Sequence, residues 1–468
     1  MSRDKSRHPN IVFFLADDMG YGDMAHFGNP VVRTPHLDRI AREGVTLTQH
    51  YSASSLCAPA RAALLTGRYN HRTGAVDVPS NRGLDRFALD ETTIADVFAA
   101  AGYTTGMVGK WHSGLHDMRY HPNNRGFQEF LGFLNGGMDY YNWCLDRNGQ
   151  TERSDGRYLT DVFTDEAVQF VDRHREEPFF LYLAYNAPHD PLQAPDEMIQ
   201  HYRDMGGLTE EVCRLYAMIE VMDAGIGKVL ERLEEHGLAD DTVVIFASDN
   251  GPLLGDAFDR YNGPFRGAKG CSLEGGIRVP GLVRWPNRLP VGTESDFMIH
   301  FCDWLPTLAS MAGVVVPSDL ELDGYDVTCR LKGDAGDIPD IRFWQRNRYE
   351  PVTHSNAAMR DGKWKLYWPM RTGTDSKAPA DSAFYRHGTG AAHWLMDIDL
   401  TLPQREIGPA SNPRLFDIAH DPGEEKDLAA EHPERVAKMR DQWDRWFEDV
   451  YRDWRNAREK IIQSEKSK

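Results

Sequence analysis

Four apolar runs in this 468-residue chain are each followed by side chains that bind metals or move protons. Asp17 and Asp18 follow Asn10–Ala16 (NIVFFLA), and Lys110 and His112 follow residues 104–108. His189 follows Phe179–Ala184 (FFLYLA), and Asp249 and Asn250 follow residues 242–247 (TVVIFA). Taken singly, an acidic pair of this kind reads as a turn or a helix cap, and a histidine after a strand as a structural one. Recurrence after four strands points instead to one shared site. Asp17, Asp18, Asp249 and Asn250 offer only oxygen, the donor set of a hard cation such as Ca²⁺ or Mg²⁺. Zinc would want His or Cys, and in the sequence no His adjoins these pairs.

A second centre lies at Cys57, in the segment SSLCAPARAALLTGR at 54–68. Pro59 suits the first turn of a helix, the alanines and leucines after it are strong helix formers, and Gly67 suits the stop. Cys57 therefore falls at a helix N-terminus, where free N–H groups and the dipole stabilise an anion. Arg61, one turn in, is near enough to reach the same anion. The residue types admit two readings, a small buried cysteine or a thiolate activated by the helix end and Arg61.

The elements that must position these groups are legible in the hydrophobic periodicity. The four continuous apolar runs read as strands buried on both faces. Between them, residues 91–101 and 209–236 carry apolar positions at three-to-four spacing, as amphipathic helices do. Buried strands alternating with such helices predict an α/β fold with a large, mostly parallel sheet sandwiched by helices. In such sheets the site lies outside the carboxyl ends of the strands, where all four polar groups fall. Beyond about residue 340 the texture changes. Trp364–Trp368 (WKLYW) alternates like an antiparallel strand, residues 370–412 read as a long surface excursion, residues 431–450 regain helical spacing, and the end from Arg452 reads as a charged tail. The expected division is a catalytic α/β domain at 9–340 and a smaller α+β subdomain, containing an antiparallel sheet, at 341–468.

Composition narrows the function classes. Lys and Arg number 53 against 71 Asp and Glu, giving a net charge of −18. An excess of acid argues against nucleic-acid binding, which needs cations for phosphates, and against docking on anionic membranes. An anionic substrate would have to be held by a local group of cations or a metal. Six cysteines stand far apart with no CxxC pair, so zinc ribbons and thioredoxin chemistry are not expected. The polar N-terminus and the short first apolar run do not form a signal peptide. The expected location is cytoplasmic, or periplasmic if a leader has been removed.

Cys57-Ala58-Pro59-Ala60-Arg61 followed by LLTG resembles the C-x-P-x-R signature of the type I sulfatases, formylglycine-dependent members of the alkaline-phosphatase-like superfamily. LADDMGYGD, GKWH, LAYNAPHDPL, SDNG, RGAKG with EGGIRVP, and LFDIAHDPGEEKDLA continue the resemblance in order along most of the chain. Ala58 and Ala60 stand where these enzymes often carry serine, and GKWHSG replaces the commoner GKWHLG.

The resemblance implies a sulfuric ester hydrolase of arylsulfatase or carbohydrate-sulfatase type. Cys57 would be oxidised to formylglycine by a separate maturation enzyme, and its hydrate would be the nucleophile. Asp17, Asp18, Asp249 and Asn250, with the modified Cys57, would hold a divalent cation, usually Ca²⁺ with Mg²⁺ as the other choice. Arg61 would steady the aldehyde hydrate. Lys110 and His112 would flank it, with His112 taking a proton as sulfate leaves, and His189 and Lys269 would contact the sulfate and the leaving oxygen. The alternative within the superfamily is a phosphonate or phosphate monoester or diester hydrolase; Asp249-Asn250 stands where a two-zinc phosphatase typically carries Asp-His. A non-enzymatic scaffold on a decayed fold would have lost some of these polar residues, and all are present. The expected substrate is a small sulfated sugar. DYYNW at 139–143 and FWQRNRY at 343–349 are aromatic-rich segments able either to stack on a sugar ring or to serve as ordinary core. Within the second, Arg346 and Arg348 could meet a further acidic group or simply lie on the surface.

Overall fold

The first strand, β1 (Asn10–Ala16), is buried along its whole length and sorts its side chains by parity. Ile11, Phe13 and Leu15 enter one hydrophobic core, and Val12, Phe14 and Ala16 enter another on the opposite face. That is what a continuous apolar run requires, because neighbouring side chains on a strand point to opposite faces. In this computed structural model, residues 8–115, 117–253, 260–378, 381 and 398–467 are described.

The strands that follow in the main sheet are β2 (Val45–Leu47), β4 (Thr104–Lys110), β5 (Glu129–Phe133), β6 (Cys144–Arg147), β7 (Gln150–Arg153), β8 (Phe179–Ala184), β9 (Thr242–Ser248), β10 (Gly281–Arg284) and β11 (Thr293–Ser295). A short strand, β3 (His50–Tyr51), pairs elsewhere with β12 (Ile299–His300). The ten strands run in the order β11-β2-β10-β9-β1-β8-β4-β5-β6-β7. The centre, from β9 to β5, is parallel throughout, while β10, β6 and β7 pair antiparallel on the flanks. The sheet is thus mixed around a parallel core.

Register sets the site. Ala16 lies opposite Ser248, Leu15 opposite Ala184, and Gly109 opposite Ala184. Four strands therefore end at one edge, and the residues after them emerge side by side. Strand β1 lies between β8 and β9, the crevice position that open α/β sheets use for ligands.

The helices follow the sequence closely. Glu210–Glu235 starts at an N-capping Thr209, and Ile94–Ala100 starts at a capping box made by Thr93 and Asp96; such caps satisfy helix-end N–H groups that have no partner within the helix.

The second sheet is antiparallel, in the order β13 (Ile341–Gln345), β14 (Ala357–Asp361), β15 (Trp364–Trp368) and β16 (Arg414–Asp417). Lys365, fully buried on β15, lies 2.9 Å from both Glu274 and Glu424 and ties this sheet to the main body. Of the excursion at 370–412, residues 379–380 and 382–397 lie outside the described residues. The charged end is not a tail. One helix runs from Pro433 to Lys466, with Trp454, Ala457, Arg458 and Ile461 buried beneath its charged face. The apolar positions recur at three and four, and that spacing outweighs the charge count.

Candidate active site

Asp17 and Asp18 leave β1 in different directions. Asp18 adopts a left-handed backbone (φ 66°), a conformation that aspartate tolerates better than most residues. Asp17 is fully buried and accepts a 2.5 Å hydrogen bond from Nζ of Lys110, the last residue of β4. Gly109 brings Lys110 there: its φ is +110°, and a Cβ on it would lie 1.9 Å from the Ala184 carbonyl oxygen, so only glycine fits. Burial pushes the Asp17 carboxyl up, but Lys110, His189, Arg61 and Lys269 together hold it far below the usual carboxylate range.

Asp249 and Asn250 leave β9 beside them. Both nitrogens of one side of the Arg61 guanidinium donate to Asp249 Oδ2, Nε at 2.9 Å and Nη2 at 2.7 Å. Arg61 Nη1 donates to the Lys110 carbonyl at 2.8 Å. Burial and the adjacent Asp17 push the Asp249 carboxyl up to about 6. Asn250 Nδ2 donates to Asp18 Oδ1 at 2.7 Å, and Lys269 Nζ donates to Asp18 Oδ2 at 2.8 Å. Asp17 Oδ1 and Asn250 Oδ1 are left buried, with no hydrogen-bond partner among the described residues. Such orphaned oxygens are costly in a protein interior, and two acceptors from adjacent strand ends fit an oxygen-liganded cation.

His189 differs from its sequence reading in one respect. No histidine adjoins the acidic pairs along the chain, yet the fold brings His189 Nε2 within 3.7 Å of Asp18 Oδ2. Asp17, Asp18 and His189 together form a group able to hold a metal. Tyr140 sets the loop that carries His189: its hydroxyl donates to the carbonyls of Asn186 (2.7 Å) and His189 (2.9 Å). Sequence reasoning left Tyr140 either to stack on a sugar or to serve as ordinary core. It takes the second course: it is buried and stacked on Tyr158, and Trp143 joins the same core.

Cys57 is the first residue of the helix Cys57–Thr66, which ends at Gly67 in the left-handed conformation. Its surroundings favour the buried-cysteine reading over the thiolate. Burial pushes the Cys57 thiol above its usual range, against the pull of Lys110 and Lys269. Arg61 does not turn back to Cys57 but is committed to Asp249 and the Lys110 carbonyl.

His112 also has a left-handed backbone (φ 51°). Its ring packs so tightly on Gly136 that a Cβ there would sit 2.7 Å from Cε1. Burial, with Lys110 and Arg61 nearby, drives its imidazole well below the usual histidine range. The Nδ1 atom is buried without a hydrogen-bond partner among the described residues. The Lys269 ammonium is held above its usual range although burial opposes its charge; Asp18, Cys57, Asp17 and Asp249 outweigh the burial.

Cys57, His112, His189 and Lys269 line one cavity of about 640 Å³. Asp17, Asp18, Asp249, Asn250, Arg61 and Lys110 surround its floor through the bonds above. All ten residues singled out in the sequence thus belong to one neighbourhood. Sequence reasoning left the outer wall open. Arg346, Arg348 and Lys377, from the C-terminal part of the chain, line the same cavity. The aromatics that flank the two arginines are core: Phe343 stacks on Trp446 at 4.7 Å, and Trp344 and Tyr349 are each 1% exposed.

A family model described as Sulfatase matches residues 9–314. Steryl-sulfatase of Mus musculus is 32% identical, over 93% of this chain and 81% of its own length. Arylsulfatase A of Homo sapiens is 33% identical, over 90% of this chain and 84% of its own length. Among solved structures, Ps i-CgsB in complex with k-i-k-neocarrahexaose is 30% identical with a TM-score of 0.79, over 94% of this chain and 93% of that one.

Proposed function

We propose, from the premise that this chain belongs to the sulfatase family and is a sulfuric ester hydrolase, that it removes sulfate from small sulfated sugars using a formylglycine made from Cys57. The observation that carries this is the convergence of Cys57, His112, His189 and Lys269 on one cavity, above a floor with two orphaned buried oxygens. We assign catalysis to residues 9–340 and the outer wall of the cavity to residues 341–468.

The residues fit the roles. Lys269 and Lys110 bring positive charge to the place where sulfate oxygens would lie, and buried donors of this kind stabilise charge that develops on a leaving oxygen. His112 is kept neutral by its surroundings, so it can take a proton as sulfate departs. His189, partly exposed at the cavity, is placed to meet the leaving-group oxygen. Arg61 holds Asp249 and the end of β4 in position. Asp17, Asp18, Asp249 and Asn250 would hold a divalent cation, which when bound would supply Lewis-acid polarisation of a sulfate oxygen. A hydrated aldehyde at position 57 would supply one oxygen to attack sulfur as the ester S–O bond breaks and the alcohol leaves, and a second hydroxyl whose deprotonation would break the C–O bond, releasing sulfate and restoring the aldehyde. The sugar assignment is supported by the similarity to Ps i-CgsB, whose structure holds an oligosaccharide.

The test is mass spectrometry of the peptide containing Cys57 after co-expression with a formylglycine-generating enzyme. Loss of sulfur from that peptide, with activity that tracks the converted fraction, is the expected result. Full activity in material bearing only unmodified cysteine would overturn the proposal.

A further inference from the structure

Lys269 reaches the floor of the cavity from a segment with no regular structure. Residues 265–273 form neither helix nor strand, whereas Lys110 ends β4 and Arg61 lies in the helix that starts at Cys57. A side chain on such a segment is placed only as well as the contacts that hold its backbone.

The local backbone is a turn. The Cys271 N–H donates to the Ala268 carbonyl at 3.0 Å, and Gly270, third in the turn, has a φ of +86°, a conformation that favours glycine. Three segments distant in sequence hold this turn. The Lys269 N–H donates to the Pro252 carbonyl at 3.0 Å, two residues after Asn250. The Gly270 N–H donates to the Ser55 carbonyl at 2.8 Å, two residues before Cys57. The third holder is Asn356, from the C-terminal part of the chain, whose Nδ2 donates to the Gly270 carbonyl at 2.8 Å.

Asn356 immediately precedes β14, is 1% exposed and has a left-handed backbone (φ 44°), which asparagine tolerates. Its amide is used in full. Nδ2 also donates to the Arg346 carbonyl at 3.0 Å, and Oδ1 accepts from the Ser272 N–H at 3.0 Å. The Asn356 carbonyl accepts from Ser272 Oγ at 2.8 Å. Turned over, the amide would set its oxygen against two carbonyls, so one orientation alone satisfies every partner. All the partners of the side chain are main-chain atoms, so the amide fixes where the backbone of the turn lies, whatever side chains it carries.

Fastening one subdomain to the other does not account for this arrangement. Lys365 already does that, buried between Glu274 and Glu424. The bonds of Asn356 fall on Gly270 and Ser272, within three residues of Lys269, and leave the Lys269 ammonium free to meet Asp18 and the cavity.

We infer that Asn356 is a positioning residue for catalysis: its buried amide, reaching across from the C-terminal sheet, holds the Lys269 turn where the ammonium can meet the sulfate oxygens. The inference rests on the reading of Lys269 as a sulfate contact.

The test is a double-variant cycle on full-length, converted enzyme, read as kcat/KM with 4-nitrophenyl sulfate and with a monosulfated sugar, alongside thermal unfolding. Lys269→Met removes a charged donor and should lower kcat/KM about tenfold to a hundredfold. Asn356→Ala displaces the same group and should cost about tenfold or more. In the Lys269→Met background, Asn356→Ala should cost less than about threefold further, because the group it positions is gone. The fall in Tm caused by Asn356→Ala should be the same in both backgrounds, since the same hydrogen bonds are lost; a purely structural role would not separate the two readouts. Ser272→Ala removes only the hydroxyl that donates to the Asn356 carbonyl and is the milder second variant. It should lose about threefold, and that loss should also vanish in the Lys269→Met background. Losses that multiply in full would overturn the inference while leaving the role of Lys269 intact. Full loss in the Lys269→Met background with collapse in an Arg346→Gln background would move the effect to the outer wall and overturn it as well. An unchanged kcat/KM for Lys269→Met alone would instead overturn the reading of Lys269, and the inference with it.

Discussion

Replacing Arg61 by methionine tests whether the site is held together from below. The guanidinium is fully buried and makes three hydrogen bonds, two to Asp249 and one to the Lys110 carbonyl. Methionine fills much of the space but leaves the Asp249 carboxylate with the Asp18 backbone N–H, at 3.2 Å, as its remaining hydrogen-bond donor among the described residues. Breaking a buried ion pair by removing one partner costs about 3–5 kcal/mol, because the surviving charge stays buried without compensation. Asp249→Asn leaves the cation with only the Asp17 carboxylate, at 3.8 Å, as counter-charge and should cost a similar amount or somewhat less. The double variant Arg61→Met/Asp249→Asn strands neither charge. It should therefore be more stable than the two single losses predict, with a coupling of about 2–3 kcal/mol, inside the range measured for contacting residues. The assay is urea unfolding followed by tryptophan fluorescence, first with a chelator. A bound divalent cation gives Asp249 another partner, so the coupling should shrink when Ca²⁺ is added in excess. Additivity of the single losses to within about 0.5 kcal/mol in the chelator would refute the account of Arg61 as the counter-charge of Asp249.

Three further outcomes follow from the same geometry. Asp17→Ala should abolish activity and lower the bound Ca²⁺ or Mg²⁺ measured by elemental analysis, whereas stoichiometric zinc in the native protein would contradict the oxygen-ligand assignment. His50 is buried, accepts from Trp304 Nε1 at 3.1 Å, and is pushed by burial down to about 4 from the usual 6.5. Its depressed pKa contributes stability that is present above pH 6.5 and lost as pH falls toward 4, worth about 3 kcal/mol at about 1.4 kcal/mol per unit. His50→Gln should flatten that limb of the stability–pH curve, and an unchanged slope would show that His50 does not titrate on unfolding. On substrate size, kcat/KM should favour small sulfated sugars over a long sulfated polymer, since an acidic surface repels the distal charges within a screening distance of roughly 8 Å. A polymer that is the better substrate at low salt would refute the small-substrate reading.

How much of this site the sequence disclosed depends on the range of each interaction. The strand ends were legible because a strand buried on both faces leaves a continuous apolar signature, and the residue after it is known at once. Cys57 at a helix start was legible for a similar reason, since Pro59 and Gly67 mark local backbone states. What Arg61 does was not legible. Its partner Asp249 is 188 residues away, and no local pattern says whether a cation one turn into a helix turns back to the first residue or forward to another strand. The choice between a buried cysteine and an activated thiolate at Cys57 was open for the same reason, because the burial that raises the thiol comes from distant segments.

The aromatic segments show where residue type alone misleads. DYYNW and FWQRNRY each alternate large rings with polar groups, as sugar-binding surfaces do. The fold takes the rings inward and puts selected polar groups to work at the cavity. Tyr140 spends its hydroxyl on two carbonyls of the His189 loop, and Phe343 and Trp344 anchor β13 so that Arg346 follows at its end. In both segments the apolar surface sets the position and the adjoining polar atom inherits it. A ring of 150 Å² or more gains too much from burial to be left at a wet rim without a ligand, whereas an arginine loses most when its charge is buried unpaired.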